Sequence, residues 1–457
     1  MIRRKMNNNS GIFISTLNFL LAKIQGFFAK FDFSKKLADV LDKLIFLSII
    51  VVIIGSLFAS SDMLGAIAFI TFCLTFLKMF VKSGEKFELN KFETFVLFWF
   101  LFVIVSLFGS SLFALSLKGF SKTVIYMGFF FSAVQFYRKN FELIFPTMLL
   151  IGGCAFFEGC VGIYQHYHGV DAISTWQDTS YVNPEDVMTR VYGTIKPFNP
   201  NLYGGYLVAA IPALFAPILF LSNKKYIAGS IFAIAISSIA LISSGCRGSY
   251  IALFFALLCF VLYCGKIVFE RHNDFLKKLY IYIVSISSLI SVSAAFLISS
   301  VRSRILSVFI LRADSSTSFR MNVYQSALQM IKDNWLLGIG VGNKNFREIY
   351  GLYMKTGFDA LSTYNVFTEL WVESGIFAFI SYLLFLFFII KAVIGYVHSR
   401  GKNQIIAVVA LISILSVIVH GFFDTIYFRP QVQFIFWLMV AFVSACLYPE
   451  NNESCKE

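Results

Sequence analysis

Residues 362–375 have the sequence STYNVFTELWVESG, and they end a stretch from Val301 to Gly375 that differs from the rest of the chain. This stretch lies between apolar runs, and its basic residues include Arg302, Arg304, Arg312, Arg320 and Arg347. It also contains two segments with helical periodicity and a glycine-rich turn. A loop of this length in a compact protein is more often functional than idle. We therefore expect it to cover an active or transport site that faces away from the cytoplasm.

The remainder of the chain has the composition of a protein embedded in a bilayer. Of its 457 residues, 58% are hydrophobic and only 14% are charged, and the mean hydropathy is +0.76. These values exclude an ordinary water-soluble globule. Because a spanning helix needs roughly 20 apolar residues, the apolar runs predict an all-α polytopic integral membrane protein with about twelve transmembrane helices.

The net charge of +13 indicates membrane topology rather than nucleic-acid binding, because the lysines and arginines concentrate in alternate short loops. Those loops are predicted to be cytoplasmic. The chain is predicted to begin with a cytoplasmic, basic and amphipathic segment at 1–43. Helices 1–9 follow within 44–300, with an outer loop at 167–202. A large helical extracytoplasmic loop at 301–362 then precedes helices 10–12 within 363–448 and a cytoplasmic tail at 449–457. The third and fourth spans are predicted at 94–116 and 120–136.

The eight cysteines form no CxxC pair, and most fall within or at the ends of apolar runs. We interpret them as small packing residues. The sequence therefore predicts no metal site and no cofactor.

The first outer loop follows a span that carries Glu158, an ionisable residue in an apolar context. Such a residue is a functional candidate because its burial is costly, although a hydrogen bond to a neighbouring helix is an equal alternative. The loop ends with two cations, Arg190 and Lys196. Asn199-Pro200-Asn201 then predicts a helix start, with Asn201 able to cap it.

Ser243-Ser244-Gly245-Cys246-Arg247-Gly248-Ser249 lies between two spans. Its small residues permit a tight turn in which hydrogen-bond donors converge beside Arg247. This arrangement suits an anion site, and a plain inter-helix turn is the alternative.

The long loop contains cap-forming residues at 314–318 and then a periodic segment, Phe319 to Trp335, that predicts a helix. Arg320 and Tyr324 lie one turn apart and share a face of it. The glycine-rich segment Gly338–Asn343 follows no strand, so it predicts a turn rather than a nucleotide site.

After this loop, Asn365, Glu369 and Glu373 recur every four residues and line one helical face. The two carboxylates either position a hydroxyl or a cation, or they neutralise the outer arginines as structural partners. Both interpretations are open from the sequence.

The last outer turn adds His420, Asp424 and Arg429 at the same predicted side of the membrane. Guanidinium groups stay charged and bind phosphate oxygens in pairs, and they also suit carboxylate or bicarbonate. The residues alone thus predict an outward-facing anion site.

From Arg190 onward the sequence resembles the O-antigen ligase/polymerase superfamily. The resemblance rests on Arg190, Asn199-Pro200-Asn201, Ser244-Gly245-Cys246-Arg247-Gly248, Arg320, Gly338-Ile339-Gly340, Asn365, Glu369 and Glu373-Ser374-Gly375. It implies a GT-C-like fold and an inverting, metal-independent glycosyltransferase that joins a glycan from undecaprenyl diphosphate to an acceptor sugar hydroxyl. It also implies that Arg247 and Arg320 clamp the diphosphate, with Arg190 a weaker third.

One branch, the IctB-type proteins, is similar over most of residues 175–435. The shared motifs include Phe319-Arg320-Met321-Asn322-Val323, Ala360-Leu361-Ser362-Thr363-Tyr364 and Val419-His420-Gly421 with Asp424-Thr425 and Arg429-Pro430-Gln431. These proteins are conventionally labelled bicarbonate transporters. The resemblance therefore implies an alternative function as an inorganic-carbon (bicarbonate) or other anion transporter. No internal repeat of the transporter kind is seen, which favours the enzyme.

Ligases usually have a histidine directly before the asparagine of the Asn365 motif, and this chain has Tyr364. A phenol with a pKa near 10 is a poor general base, so His166, His168, His420 or Glu369 would have to substitute.

From the resemblance we expect Tyr364, Asn365 and Glu369 to be catalytic, with His420, Asp424 and Arg429 in support. The expected partners are a lipid-linked glycan donor, a glycan or glycolipid acceptor, and the bilayer, but no nucleic acid. The expected location is the cytoplasmic (inner) membrane, with both termini cytoplasmic and the active face outside.

Overall fold

The structure is a computed structural model that describes residues 12–31, 33–170, 190–271, 273–297, 315–401 and 403–449. Several predicted features lie outside these residues: the basic start at 3–5, the part of the outer loop at 171–189, Arg302, Arg304 and Arg312, and the tail from residue 450 onward.

Every regular element in the described ranges is a helix. The first eight are α1 (Ile12–Phe28), α2 (Phe33–Phe58), α3 (Ser61–Val81), α4 (Lys91–Leu107), α5 (Phe113–Tyr137), α6 (Ile144–His168), α7 (Pro200–Ala210) and α8 (Phe215–Phe220). The others are α9 (Lys224–Ser243), α10 (Arg247–Arg271), α11 (Asp274–Leu297), α12 (Ser315–Asn334), α13 (Asn343–Tyr350), α14 (Val366–His398), α15 (Gln404–His420) and α16 (Pro430–Cys446). Short 3₁₀ turns occur at Phe141–Leu143, Ile211–Leu214 and Ile426–Phe428.

Within the described residues, seven helical segments are long and apolar enough to cross a membrane, and α15 and α16 are shorter apolar helices. The seven are α2, α3, α6 with its 3₁₀ turn, α7 through α8, α9, α10 and α14. The described ranges also contain α4, α5 and α11, which have 17, 25 and 24 residues. The prediction of an all-α polytopic membrane protein is confirmed.

Some predicted boundaries are wrong. The span predicted at 94–116 ends at Leu107, and the next helix starts at Phe113 rather than at 120. The chain turns between them beside Leu337, which packs so closely that a side chain at Gly109 would lie 2.7 Å from it. Gly109-Ser110-Ser111 interrupts the apolar run at this turn, and the predicted span wrongly continues through it.

The centre of the bundle is α16, all of whose residues are buried. A helix that is apolar on every side belongs in a protein interior. Trp437 of α16 stacks on Trp99 of α4 with ring centroids 6.1 Å apart, and it also contacts Phe130 of α5 at 5.0 Å. These aromatic contacts fix α4, α5 and α16 against each other.

One end of the bundle carries buried ion pairs, and we call it the ionic end: there α2, α4 and α9 begin and α3, α5 and α16 end. Glu93 and Arg138 form an ion pair at 2.7 Å, and the hydroxyl of Ser444 also donates to Glu93. Lys139 pairs with Glu85 at 2.7 Å. These contacts connect α4, α5 and α16.

At the opposite end, which we call the arginine end, α7, α10, α14 and α16 begin. The turn between α12 and α13 packs on the first part of α14, where the N–H of Gly340 donates to the carbonyl of Glu373 at 2.9 Å. Directly after it α14 is broken at Gly375, which has φ 72° and ψ −179°. Only glycine adopts this conformation readily. The break allows the carbonyl of Leu336 to approach the helix.

Candidate functional site

Asn365 is the N-cap of α14, and both the oxygen and the nitrogen of its side-chain amide form hydrogen bonds with the backbone. Its Oδ1 accepts from the N–H groups of Phe367 and Thr368 at 2.9 and 3.0 Å. Its Nδ2 donates to the carbonyl of Phe422 at 3.1 Å. Asn365 therefore joins the start of α14 to the turn that follows α15.

Two further bonds connect the same turns. The N–H of Val366 donates to the carbonyl of Gly421 at 2.8 Å, and the hydroxyls of Ser362 and Thr425 lie 2.6 Å apart. The segments 362–366 and 421–425 are thus held side by side at the arginine end.

A chain of polar contacts continues from this pair of turns. Asp424 accepts from the N–H of Thr425 at 2.7 Å and from Nδ2 of Asn201 at 3.0 Å. Asn201 accepts in turn from Nη2 of Arg190 at 2.5 Å, and Nε of Arg190 donates to the carbonyl of Ser244 at 2.8 Å. Residues far apart in the sequence therefore meet around Arg190 and Asp424.

The expectation that Asn201 caps α7 is wrong. Asn199 is the cap, because its Oδ1 accepts from the N–H groups of Asn201 and Leu202 at 2.8 and 3.2 Å. With the helix start satisfied by Asn199, the side chain of Asn201 is available to bridge Arg190 and Asp424.

Arg190, Arg247 and Arg320 gather around this chain of contacts. Burial lowers the pKa of Arg190, the charge of Asp424 opposes that effect, and the charge of Arg247 adds to it. Arg247 is the exposed first residue of α10. Arg320, on α12, places its Cζ 5.7 Å from the ring centroid of Tyr364.

In the described part of the chain, none of these three guanidinium groups forms an ion pair within 4.0 Å. The carboxylate of Asp424 interacts electrostatically with Arg190. The charges of Asp424 and Arg320 both act on His420 and on Tyr364. The positive charge at this site therefore exceeds the negative charge.

Helix direction reinforces this excess. α7, α10, α14 and α16 all begin at the arginine end, and the N-terminus of a helix carries roughly half a positive charge. Such ends favour bound anions. The arrangement suits a ligand with more than one negative charge.

Tyr364 lies next to Arg320 and is partly buried. The pKa of its phenol is raised to about 12, chiefly by burial and then by the charge of Asp424, while Arg320 opposes the rise. Its backbone is left-handed, with φ 56°, and its carbonyl accepts from the hydroxyl of Tyr324 at 3.4 Å. At neutral pH this phenol is a hydrogen-bond donor and not a base.

Among the histidines, His420 belongs to the site. It is 2% exposed, and its Nε2 lies 3.5 Å from Sγ of Cys246. His166 and His168 are exposed at the end of α6. Their recorded contacts are with residues of their own helix, such as the carbonyl of Tyr164 at 3.1 Å from Nδ1 of His168.

The two predicted carboxylates of α14 accept from backbone groups. Glu369 is 2% exposed, and its Oε2 accepts from the N–H of Thr363 at 2.6 Å. Oε1 of Glu373 accepts from the N–H of Gly342 at 2.9 Å. Both therefore hold the loop against the helix, and neither forms an ion pair with an arginine in the described residues.

Arg429 is exposed directly before α16. Its charge acts on Tyr126, so the structure places it at the arginine end but towards α5. Among the described residues there is no group of three or more His, Cys, Asp or Glu side chains that could hold a metal ion.

Glu158 makes its contacts with the loop that precedes α7 and with α7 itself. Its Oε2 accepts from the N–H of Thr194 at 3.0 Å, and the hydroxyl of Thr194 donates to its Oε1. The hydroxyl of Tyr203 donates to its backbone carbonyl at 2.7 Å. These bonds anchor the loop segment that begins at Arg190.

Sequence reasoning did not foresee the bridging role of Asn201 or the contacts of Cys246 and Thr425. Asn201 and Asp424 are 223 positions apart, and Cys246 and His420 are 174 apart. No local pattern connects such distant residues, so only the fold shows these contacts.

A family model described as O-Antigen ligase matches residues 232–383. The matched region contains Arg247, Arg320, Tyr364, Asn365 and Glu369. A comparison with curated proteins finds no match. This region of the polytopic helical bundle is therefore similar to O-antigen ligase.

Proposed function

We propose that the chain is a membrane glycosyltransferase of cell-surface polysaccharide biosynthesis. In this proposal it moves a glycan from undecaprenyl diphosphate to a hydroxyl of an acceptor sugar. The observation that carries the proposal is the group formed by Arg190, Arg247 and Arg320, which have no carboxylate partner within 4.0 Å among the described residues.

The arginines have different surroundings, and we assign them different parts of the diphosphate. Arg247 is exposed and Arg320 is partly exposed, so both are accessible to a lipid headgroup. Arg190 is held by Asn201 and Ser244 and forms the inner side of the site. Bidentate bonds from guanidinium to phosphate oxygens are strong and geometrically specific.

The proposed transfer is a single inverting displacement. The acceptor oxygen attacks the anomeric carbon from the side opposite the diphosphate, and a new carbon–oxygen bond forms. The bond from the anomeric carbon to the diphosphate oxygen breaks, and its electron pair leaves with the diphosphate. Fixed positive charges beside the leaving group stabilise the charge that develops in the transition state.

We propose that Asp424 receives the proton of the acceptor hydroxyl. Its carboxylate is at the centre of the polar contacts, and among the described residues each of its oxygens accepts one hydrogen bond, from Thr425 or from Asn201. Tyr364, with a pKa of about 12, donates a hydrogen bond to the substrate instead. Asn365 and Glu369 position the turn that carries Tyr364.

We also propose that the arginine end faces outward from the cytoplasmic membrane. The short turns at the ionic end carry many cations, among them Lys82, Lys86, Lys139, Lys224 and Lys225, and short cytoplasmic loops carry such an excess. In this orientation both chain termini are cytoplasmic.

The transporter alternative has less support from the geometry. The pass from α7 to α8 is interrupted, as transporter helices often are near their binding sites. The interruption, Ile211-Pro212-Ala213-Leu214, has no polar side chain to bind an anion. The arginines lie at one end of the bundle, where Arg247 begins α10, rather than at its middle.

Glycan transfer by the purified protein tests the proposal. The donor is lipid-linked glycan extracted from the cells that produce the protein, and the acceptor is their glycolipid fraction. We expect transfer with the native protein and its loss in Arg320→Ala and Arg247→Ala. Arg347→Ala is the matched control, because Arg347 is exposed and pairs with Asp359. Unchanged transfer in both site variants contradicts the proposal and makes bicarbonate flux in proteoliposomes the next measurement.

A further inference from the structure

A depression of about 380 Å³ lies at the loop segment that follows Arg190, and none of the residues assigned to the transfer step lines it. It is formed by Phe58, Gln165, Tyr192, Thr194, Lys196 and Phe198, together with Gly193. Its volume is within the range of small-ligand pockets, roughly 300–1,000 Å³. Such pockets combine apolar and aromatic surfaces with a few polar groups, as this one does.

Three aromatic rings dominate its wall. Phe58, at the end of α2, is 47% exposed. The rings of Tyr192 and Phe198 have centroids 5.5 Å apart and are tilted by 53°. Phe198 has a left-handed backbone with φ 61°, a conformation that residues other than glycine adopt rarely. The surrounding contacts therefore hold this ring in place against its backbone preference.

The floor of the depression is fixed by hydrogen bonds. Oε1 of Gln165 accepts from the N–H groups of Tyr192 and Gly193 at 3.1 and 2.8 Å, and Nε2 of Gln165 donates to the carbonyl of Gly193 at 2.9 Å. Glu158 holds the next residue, Thr194. A binding surface that is ordered before its ligand arrives loses little entropy when it binds.

The same chain segment connects the depression to the arginine site. It runs from Arg190, which is in the site, to Lys196, which lines the depression. Six residues span at most about 20 Å when extended. The carbonyl of Lys196 also accepts from Gln431 of α16 at 2.9 Å, so the segment is held at both ends.

We propose that this depression binds a sugar ring of the glycan substrate, an inference that rests on the proposed function. The face of an aromatic ring carries negative charge, which attracts the weakly positive C–H groups on the face of a sugar ring. The exposed ammonium of Lys196 donates hydrogen bonds to sugar hydroxyl or carboxylate oxygens. The ring comes either from the donor glycan or from the acceptor.

The variants test whether binding requires a flat aromatic ring or only an apolar side chain. Phe58→Leu and Phe198→Leu keep an apolar side chain of similar size and remove the flat face. Tyr192→Phe keeps the ring and is the matched control. A hydrocarbon chain in the depression would tolerate leucine, whereas a stacked sugar would not.

The measurement is equilibrium binding to the full-length protein in detergent with three probes. They are undecaprenyl diphosphate without sugar, lipid-linked glycan extracted from the producing cells, and the glycolipid fraction of those cells freed of diphosphate carrier. We expect both leucine variants to bind the sugar-free carrier within twofold of the native protein. We expect them to bind one of the glycan probes about tenfold more weakly or worse, because the flat aromatic face under the sugar ring is lost; a tenfold loss corresponds to about 1.4 kcal/mol.

If the leucine variants bind the lipid-linked glycan more weakly, the depression binds a sugar of the donor. If they bind the carrier-free glycolipid fraction more weakly, it binds a sugar of the acceptor. Native binding of both glycan probes by the leucine variants overturns the inference. Equal weakening of the sugar-free carrier also overturns it, because the occupant is then the lipid. A different result would show that the proposed function itself is wrong. In that case the sugar-free carrier binds the native protein and Arg320→Ala equally, or binds neither.

Discussion

At the scale of single residues, Asn199 and Asn201 show how neighbouring, chemically identical side chains acquire different roles. Asn199 caps α7, whereas Asn201 bridges Arg190 and Asp424. Asn199→Ala should cost about 1 kcal/mol of stability and leave glycan transfer intact. Asn201→Ala should leave the cap intact but reduce transfer roughly ten- to a hundredfold, because it removes hydrogen bonds to two charged groups.

Equilibrium unfolding in detergent and the transfer assay check these two variants together. A fall in transfer with Asn199→Ala as large as that with Asn201→Ala would mean that the effect is structural and that the bridge has no role of its own.

Tyr364 gives a prediction for pH dependence. Its folded-state pKa of about 12 lies above the ordinary value of 10.0, so the phenol stays protonated at any pH below that range. The pH–rate profile of transfer between pH 6 and 9 should therefore keep its shape in Tyr364→Phe, although the rate falls. Tyr364→His fits the left-handed backbone and should add an inflection near the histidine pKa of about 6.5. If the pH–rate profile of the native protein has an inflection that is absent in Tyr364→Phe, Tyr364 is not only a hydrogen-bond donor and the proposal is contradicted.

The sequence predicts the charged residues of the site better than their contacts. Arg190, Arg247, Arg320 and Asp424 stand out because charged groups at membrane helix ends need an explanation. Their grouping around Asn201 depends on turns that only the folded bundle brings together. The helical spacing of Glu369 indicates a shared face but does not reveal that its partner is the backbone N–H of Thr363.

At the scale of elements, α14 depends on its break at Gly375. Gly375→Ala should destabilise the protein by about 1–3 kcal/mol, because the required backbone conformation is open essentially to glycine alone. The added Cβ would also lie 2.2 Å from the carbonyl oxygen of Leu336. Gly395→Ala in the same helix is the control, because nothing lies within 4 Å of its Cβ and alanine is the better helix former by roughly 1 kcal/mol.

Equilibrium unfolding of the two variants in detergent measures the difference. Equal stability of Gly375→Ala and Gly395→Ala would show that the break is not required for the fold.

The existence of the helices follows from the apolar runs, because the bilayer forces each pass to satisfy its own backbone hydrogen bonds. Their ends follow less directly. α2 begins at Phe33, although the first apolar run is predicted to begin only at residue 44. α4 ends at Leu107, just before Gly109-Ser110-Ser111, although the predicted span continues to residue 116. Charged first turns and packing contacts such as that of Leu337 with Gly109 set these boundaries.

At the scale of the whole molecule, the two ends differ in how their charges are satisfied. The ionic end pairs its charges internally, as Glu93 does with Arg138. Glu93→Gln should cost about 3–5 kcal/mol, because it leaves a buried guanidinium without its carboxylate. Glu88→Gln, at an exposed position nearby, should change stability by no more than about 0.5 kcal/mol. Equilibrium unfolding in detergent distinguishes them, and similar values would contradict a structural role for the pair.

We propose that the arginine end keeps its guanidinium groups for a ligand, and this difference between the two ends is the central claim about function. The most direct measurement is equilibrium binding of undecaprenyl diphosphate to the purified protein, compared between the native chain, Arg320→Ala and Arg347→Ala. We predict micromolar binding by the native protein and by Arg347→Ala, and binding at least about tenfold weaker in Arg320→Ala, since one charged hydrogen-bonding group is lost. Native-like binding by Arg320→Ala, or no binding by any folded form, would contradict the claim.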